Sequence, residues 1–261
     1  MISGTKTGTR QKWLVYFPIL IFFMANPYSG FSQHKDIEKA RSEIYQGYIS
    51  NNPNLWNTGI DILKRGYTQT KNDVYRYELA LAYYGKIGFL LSLKEETAAE
   101  KLTDRTIALL EDLVTSHPQW AEVHAILGSV YALKIGMSPS KTLVLGPKSS
   151  KHIEKAIDLD PKSPQAWLEM GNFRFHSPRL FGGSKQEALE AFSQSAKLFE
   201  SLGKTRSWEY LHAMAWLGKT YEEMGKPETA LDVYQKLLRH EPSFLWAKEE
   251  LLPQLEQKMN R

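Results

Sequence analysis

Ala215-Trp216-Leu217-Gly218-Lys219-Thr220-Tyr221, followed by Gly225, Lys226-Pro227-Glu228, Ala230, Tyr234 and Pro242, is the stretch that decides the fold. A glycine placed directly after a large apolar side chain lets a neighbouring helix approach the backbone closely. Tyr221, three residues on, lies on the same helical face and fills the space beside that contact. Gly225 marks a turn. Pro227 then opens a second helix where its missing N–H costs nothing, and Glu228 sits near the positive end of that helix dipole. The product is a helix–turn–helix unit, and no single pair of this kind can hide its apolar face unaided.

The skeleton recurs upstream. Ala125-Ile126-Leu127-Gly128-Ser129-Val130-Tyr131 and Ala166-Trp167-Leu168-Glu169-Met170-Gly171 again set a large apolar residue before glycine. Ala156-Ile157-Asp158-Leu159-Asp160-Pro161 and His117-Pro118 close units. The spacing is stretched, with 43 residues from Gly128 to Gly171 and 47 from Gly171 to Gly218. Two inserts between the helices of a unit, 136–148 and 176–183, carry most of the excess. They share a plan: Ser-Pro, a short apolar stretch, then Leu-Gly-Pro or Phe-Gly-Gly. Ser184-Lys185-Gln186-Glu187 is a capping box that starts the next helix. Residues 74–93 and 97–115 read as a further, longer pair, 36–50 and 54–68 as a less regular one, and 244–259 as a terminal capping helix. No segment shows strand alternation.

Leu217-Gly218, Tyr221, Ala230, Tyr234 and Pro242 resemble the tetratricopeptide consensus W-x2-L-G-x2-Y…A-x3-F…P, whose repeat is about 34 residues. The expected architecture is all-α: an α-solenoid of antiparallel helix pairs, some ten to twelve helices in all. The chain divides into a signal peptide at 1–32, a divergent helical pair at 33–71 and an array of four units at 72–258 that ends in a capping helix. The Ser177-Pro178…Phe181-Gly182-Gly183…Lys185…Ala188 pattern is similar to a variant found in exported bacterial proteins of this superfamily.

The resemblance implies a concave groove, lined by the first helix of each unit, that holds a peptide or protein segment. On that reading the partner-facing residues are Tyr77, Tyr84, Gln165, Asn172, Phe175, His212, Lys219 and Glu222, aromatic at one end and mixed polar at the other. The family's carboxylate clamp has one match, Asn172, but Ser129 and Lys219 stand at its equivalents, so the clamp is incomplete. The inter-helix loops are a second candidate surface, because stacked repeats put equivalent loops on one edge. Their candidate residues are Ser138, Pro139, Gly146, Lys148, Ser177, Pro178, Phe181, Gly182 and Gly183. Leu143, Leu145, Leu180 and Phe181 either present this edge or fold back over the core. Lys148 and Lys185, beside helix starts, are candidates for an anion.

Residues 1–32 carry Lys6, Arg10 and Lys12, an apolar run from Trp13 to Ala25, and small residues from Asn26 to Ser32. That is the layout of a secretory signal, and the run is short of the roughly 20 apolar residues of a spanning helix. The expected location is therefore the periplasm or cell envelope, with membrane association only if the segment is retained. The chain has 33 basic and 29 acidic side chains; without the three basic groups of the signal, 30 face 29, a net of +1. This near-neutral balance excludes a nucleic-acid partner driven by counterion release. The absence of cysteine excludes disulfides, thiolate metal sites, a cysteine nucleophile and a lipidated cysteine.

None of the seven histidines forms a close ligand pair such as HExxH. Phe181-Gly182-Gly183-Ser184-Lys185 lacks the spacing and the preceding strand of a phosphate loop. There is no G-x-S-x-G elbow. The reading is a non-enzymatic interaction scaffold of the bacterial cell envelope, without cofactor or metal, whose partner is another exported or envelope protein. The alternative is an accessory protein of envelope transport that binds a small ligand beneath the paired loops; a deep pocket under 137–147 and 177–183 is its mark.

Overall fold

The computed structural model describes Met1 and residues 27–260, with side chains from His34 onward. The charged start and apolar run of the expected signal lie outside the described residues. Eleven α-helices follow one another among the described residues: α1 (Pro27–Ile49), α2 (Pro53–Thr70), α3 (Asp73–Ser92), α4 (Glu96–Ser116), α5 (Ala121–Met137), α6 (Thr142–Leu159), α7 (Pro164–His176), α8 (Lys185–Ser201), α9 (Trp208–Glu223), α10 (Pro227–His240) and α11 (Leu252–Met259). Each packs against the next, and the described residues contain no strand, as expected of an α-solenoid. Helix α1 already runs through Pro27–Ser32, the stretch read as the small region of the signal.

Local chemistry sets the boundaries. Asn52, Asn72, Ser163, Ser184 and Ser207 each stand just outside a helix, and their side chains accept a hydrogen bond from a first-turn N–H. Proline follows at Pro53, Pro164 and Pro227, inside the first turn. At the expected capping box, the Glu187 amide donates to Ser184 Oγ at 3.2 Å.

The motif glycines mark where the helices meet. A Cβ on Gly128 would lie 2.5 Å from Ile153 of α6, one on Gly171 2.5 Å from Phe192 of α8, and one on Gly218 2.2 Å from the Tyr234 ring of α10. A methyl group there must push the paired helix away. Gly218→Ala is therefore expected to destabilise the chain by about 1–3 kcal/mol. Gly88, inside α3 with nothing within 4 Å of its Cβ position, should respond the other way. Gly88→Ala is expected to stabilise by about 0.5–1 kcal/mol through helix propensity. Urea midpoints of the two variants check both signs.

One sequence reading needs correction and another is refined. The insert at 136–148 is not a loop throughout: a short 3-10 turn covers Pro139–Lys141 and α6 begins at Thr142, with Pro147 inside it. Pro147 is the sixth residue of α6, past the first turn, so it removes one backbone hydrogen bond from the helix, the one that residue 147 would donate to the Leu143 carbonyl. The terminal helix is continuous, as expected, but not α throughout. Trp246–Leu251 forms a wider π turn before α11, whose second residue is Pro253.

The array curls until its first pair meets its last. Tyr45 and Ile49 of α1 share an apolar cluster with Tyr210, Tyr234 and Phe244. The Tyr45 hydroxyl donates to Glu241 at 2.7 Å across 196 residues of chain. Arg41 binds both oxygens of Glu78 on α3, with Nε donating to Oε2 at 3.0 Å. The concave face is thereby roofed by α1 and α2 rather than left as an open groove.

Candidate functional site

The concave face encloses a cavity of about 1440 Å³. Six helices wall it. Tyr48 and Trp56 come from the first pair; Tyr84 and Phe89 from α3; Leu133 and Met137 from α5; Phe173 and His176 from α7; and Trp208, His212 and Trp216 from α9. Phe244 and Trp246 close the far end. The mouth runs beside Thr142, Leu143, Gly146 and Pro147 of one insert and Ser177, Pro178 and Phe181 of the other.

Periodicity explains the aromatic wall. Trp208, His212 and Trp216 are spaced by four, so they stack along one face of α9. Trp208 meets Trp56 at 5.8 Å between ring centres, Tyr48 at 5.8 Å and Tyr84 at 6.4 Å. Trp216 meets His176 at 4.6 Å and Trp246 at 6.4 Å. Trp56 is fixed by its indole N–H, which donates to the Ala82 carbonyl at 2.9 Å. Trp216 Nε1 and Asn172 Oδ1 are buried without a hydrogen-bond partner among the described residues.

Behind the wall lies a polar knot. Glu169 is fully buried on α7 and accepts from Tyr84 Oη at 2.7 Å, Ser129 Oγ at 2.6 Å, Asn172 Nδ2 at 2.9 Å and Gln165 Nε2 at 2.7 Å. Burial raises the Glu169 carboxyl above its usual range, while these four donors pull the other way. Ser129 and Asn172, the positions compared with the carboxylate clamp, are thus occupied by a carboxylate of the chain itself.

Three of the eight groove residues read from the sequence reach the cavity: Tyr84, Asn172 and His212. Gln165 is buried on Glu169. Tyr77 packs on Trp120 at 5.0 Å, away from the cavity lining. Phe175 braces Trp216 at 4.9 Å, and Lys219 lies over the same indole. Glu222 accepts from Tyr234 at 2.6 Å and Lys258 at 2.9 Å. Tyr77 and Glu222 are structural because neighbouring elements of the array supply their partners, Trp120 for the ring and Tyr234 and Lys258 for the carboxylate. Of the loop residues, Gly146, Ser177, Pro178 and Phe181 line the mouth, whereas Ser138, Pro139, Lys148, Gly182 and Gly183 do not. Gly182 and Gly183 shape the loop: Gly182 has φ of 88°, and a Cβ on Gly183 would sit 1.8 Å from the Ser177 carbonyl oxygen. Lys185 donates to the Phe175 carbonyl at 3.0 Å and covers its ring, so its ammonium is committed to the chain rather than to an anion. Leu145 folds back on the core, but Leu143, Leu180 and Phe181 remain exposed. The residues that sequence reading passed over are Trp56, Phe173, Trp208, Trp216 and Trp246. The four-residue spacing of Trp208, His212 and Trp216 was the available signal.

The wall carries no permanent charge at its centre. Burial, and then the nearby His176, press His212 down to about 3, so its ring is neutral; Nδ1 shares a hydrogen bond with Tyr48 Oη at 3.2 Å. The unfolded chain takes up a proton at this residue below about pH 6.5, and the folded chain does not until about pH 3. Stability from this ring is therefore complete above pH 6.5 and drains away as pH falls toward 3. Glu209, which burial pushes up to about 7, acts in the opposite sense and favours folding as pH falls from 7 toward the ordinary carboxylate range. Comparing His212→Gln with the parent isolates the histidine: the variant should lose up to ~1.4 kcal/mol per pH unit of the acid-side slope. Urea midpoints taken between pH 7 and pH 4 read this difference.

No cluster of three or more metal-ligating side chains occurs among the described residues, and no described helix is long and apolar enough to cross a membrane.

A tetratricopeptide repeat model matches residues 212–243, the unit that carries the sequence resemblance. Fold comparison agrees. TTC0263, a thermophilic tetratricopeptide protein of Thermus thermophilus, is similar with a TM-score of 0.58 at 16% identity, over 83% of this chain and 95% of its own. The HusA haemophore of Porphyromonas gingivalis is similar with a TM-score of 0.55 at 14% identity, over 75% of this chain and 94% of its own. MamA is a looser likeness, with a TM-score of 0.44 at 20% identity over 62% of this chain and 82% of its own. No curated protein matches the sequence. The chain thus carries one unit that matches a tetratricopeptide repeat model, and its fold is the all-α solenoid seen in tetratricopeptide proteins.

Proposed function

We propose that this chain is a non-enzymatic binding protein of the bacterial cell envelope, and that it encloses an apolar, ring-bearing small molecule in the cavity on its concave face. The observation that carries the reading is the cavity of about 1440 Å³, walled by Trp56, Trp208, Trp216 and Trp246 and lying under the 137–147 and 177–183 segments. A concave, mostly apolar pocket with a few placed polar groups is the usual form of a small-molecule site. At the aromatic wall a neutral His212 and an internally satisfied Glu169 leave no charge to hold a guest; the charged groups of the lining, Glu96, Glu100, Glu249 and Glu250, come from α4 and the π turn. The expected signal segment supports the envelope location.

Tetratricopeptide solenoids are binding scaffolds, and a protein guest is the second reading. It is favoured by the apolar side chains exposed at the mouth, Leu143 and Phe181, with Leu180 exposed beside them in sequence. On that reading an aromatic-rich segment of an exported protein enters the same cavity.

One experiment separates them. Native mass spectrometry of the chain purified from the envelope fraction should show a bound species of small-molecule mass, and a co-purifying polypeptide would support the protein reading instead. Haem is a suitable first probe for titration, since a haemophore shares this fold. Saturable quenching of tryptophan fluorescence is the expected response, because four tryptophans wall the cavity. Absence of quenching by haem and by other flat apolar probes would remove the small-molecule reading.

A further inference from the structure

Exposed apolar side chains stand on both inserts that border the cavity mouth. Leu143 is 86% exposed, Val144 64%, Leu180 87% and Phe181 53%. Leu143 and Phe181 both border the mouth, so the two inserts share one rim. Leaving such groups in water is unfavourable, and contiguous patches of this kind mark docking sites.

The 177–183 tip is braced rather than loose. Phe181 N and Gly183 N both donate to the Pro178 carbonyl, at 2.8 and 3.0 Å, and Arg174 Nη1 donates to the Gly182 carbonyl at 2.8 Å. The loop's own hydrogen bonds hold Leu180 and Phe181 outward, and this preorganisation lowers the entropy lost on docking.

Charge selects the partner. Neither 138–153 nor 174–186 contains an Asp or Glu. Lys141, Lys148, Lys151 and Arg179 are exposed on these segments. The acidic residues of the cavity lining belong to other elements, Glu96 and Glu100 to α4 and Glu249 and Glu250 to the π turn. Apolar side chains on two segments whose own charged residues are all basic complement an anionic lipid surface: the side chains enter the headgroup region and the cations meet phosphate. A protein-binding surface ordinarily has a rim of both signs.

We propose that this rim docks peripherally on an anionic lipid bilayer, with Leu143, Val144, Leu180 and Phe181 entering the interface. The docking goes beyond the cavity reading and holds whichever guest the cavity takes. It also differs from anchoring by the N-terminal apolar run, because the contact is made by the folded array.

The chain has no cysteine, so single-site labelling is clean. Full-length chain carrying Leu180→Cys, labelled with nitrobenzoxadiazole, is mixed with phosphatidylcholine vesicles that contain phosphatidylglycerol. The expected result is a blue shift and protection from an aqueous quencher, both absent with pure phosphatidylcholine vesicles. A label at Glu228→Cys, on the first turn of α10, should stay in water under both conditions. Replacing Lys141, Lys148 and Arg179 with Glu should lower the Leu180→Cys response several-fold, while circular dichroism and haem titration remain unchanged. The proposal is overturned if the label at 180 stays water-exposed on anionic vesicles. That holds even where the chain floats with them, since flotation would then report the N-terminal run alone. An equal response on neutral vesicles also overturns it.

Discussion

Glu169→Ala is expected to destabilise the chain by about 3 kcal/mol, among the largest effects of any single substitution outside the apolar core. The carboxylate is fully buried and collects hydrogen bonds from Tyr84 on α3, Ser129 on α5, and Gln165 and Asn172 on its own helix. Alanine strands those donors away from water and leaves a cavity among three packed helices. Each unsatisfied buried group costs about 1–3 kcal/mol, although the Tyr84 and Ser129 hydroxyls can rotate to recover part of it. Glu169→Gln should fall between alanine and the parent. Its amide still accepts through one oxygen, but it sets an NH₂ against donors on the other side. Urea denaturation at neutral pH gives the ranking. A near-neutral alanine variant would mean that the knot contributes nothing net to the packing of α3, α5 and α7.

The second large effect is on binding. Trp216→Ala should weaken capture of a flat apolar guest roughly 30-fold, equivalent to about 2 kcal/mol of lost contact. Trp216 is half-buried, lines the cavity and stands between His176 and Trp246, so its indole is a wall that a guest would touch. Trp167→Ala is the matched control. Its indole donates to the Pro161 carbonyl at 2.8 Å and takes no part in the cavity. That variant should bind as the parent does. Equal loss in both would trace the effect to general destabilisation, and no loss in either would place the guest elsewhere.

The repeat was legible because its signal is local. Leu217-Gly218 and Tyr221 encode one contact with the paired helix, and the Gly218–Tyr234 approach is the contact they describe. Helix starts were legible for the same reason, since Ser184 and Glu187 act within one turn. Closure of the array was not legible. It depends on Tyr45 meeting Glu241 and Tyr48 meeting His212, pairs separated by 196 and 164 residues with no local pattern linking them. That closure brings Tyr48 and Trp56 of the first pair against Trp208, and so completes the aromatic wall. The inserts were half legible. Ser-Pro and Gly-Gly announced breaks, but Thr142–Lys148 also satisfies helix geometry, and α6 claims it.

Photolabelling with a small apolar aryl diazirine tests the central claim most directly, because the probe reports the cavity whatever guest it holds in the cell. After irradiation of the folded chain and peptide mapping, the label is expected on 208–216 and 173–181 and at Trp246, with competition by any bound guest. Label spread over the outer helices α4, α8 and α10 in proportion to their exposed surface, with the cavity peptides left clean, would contradict the account.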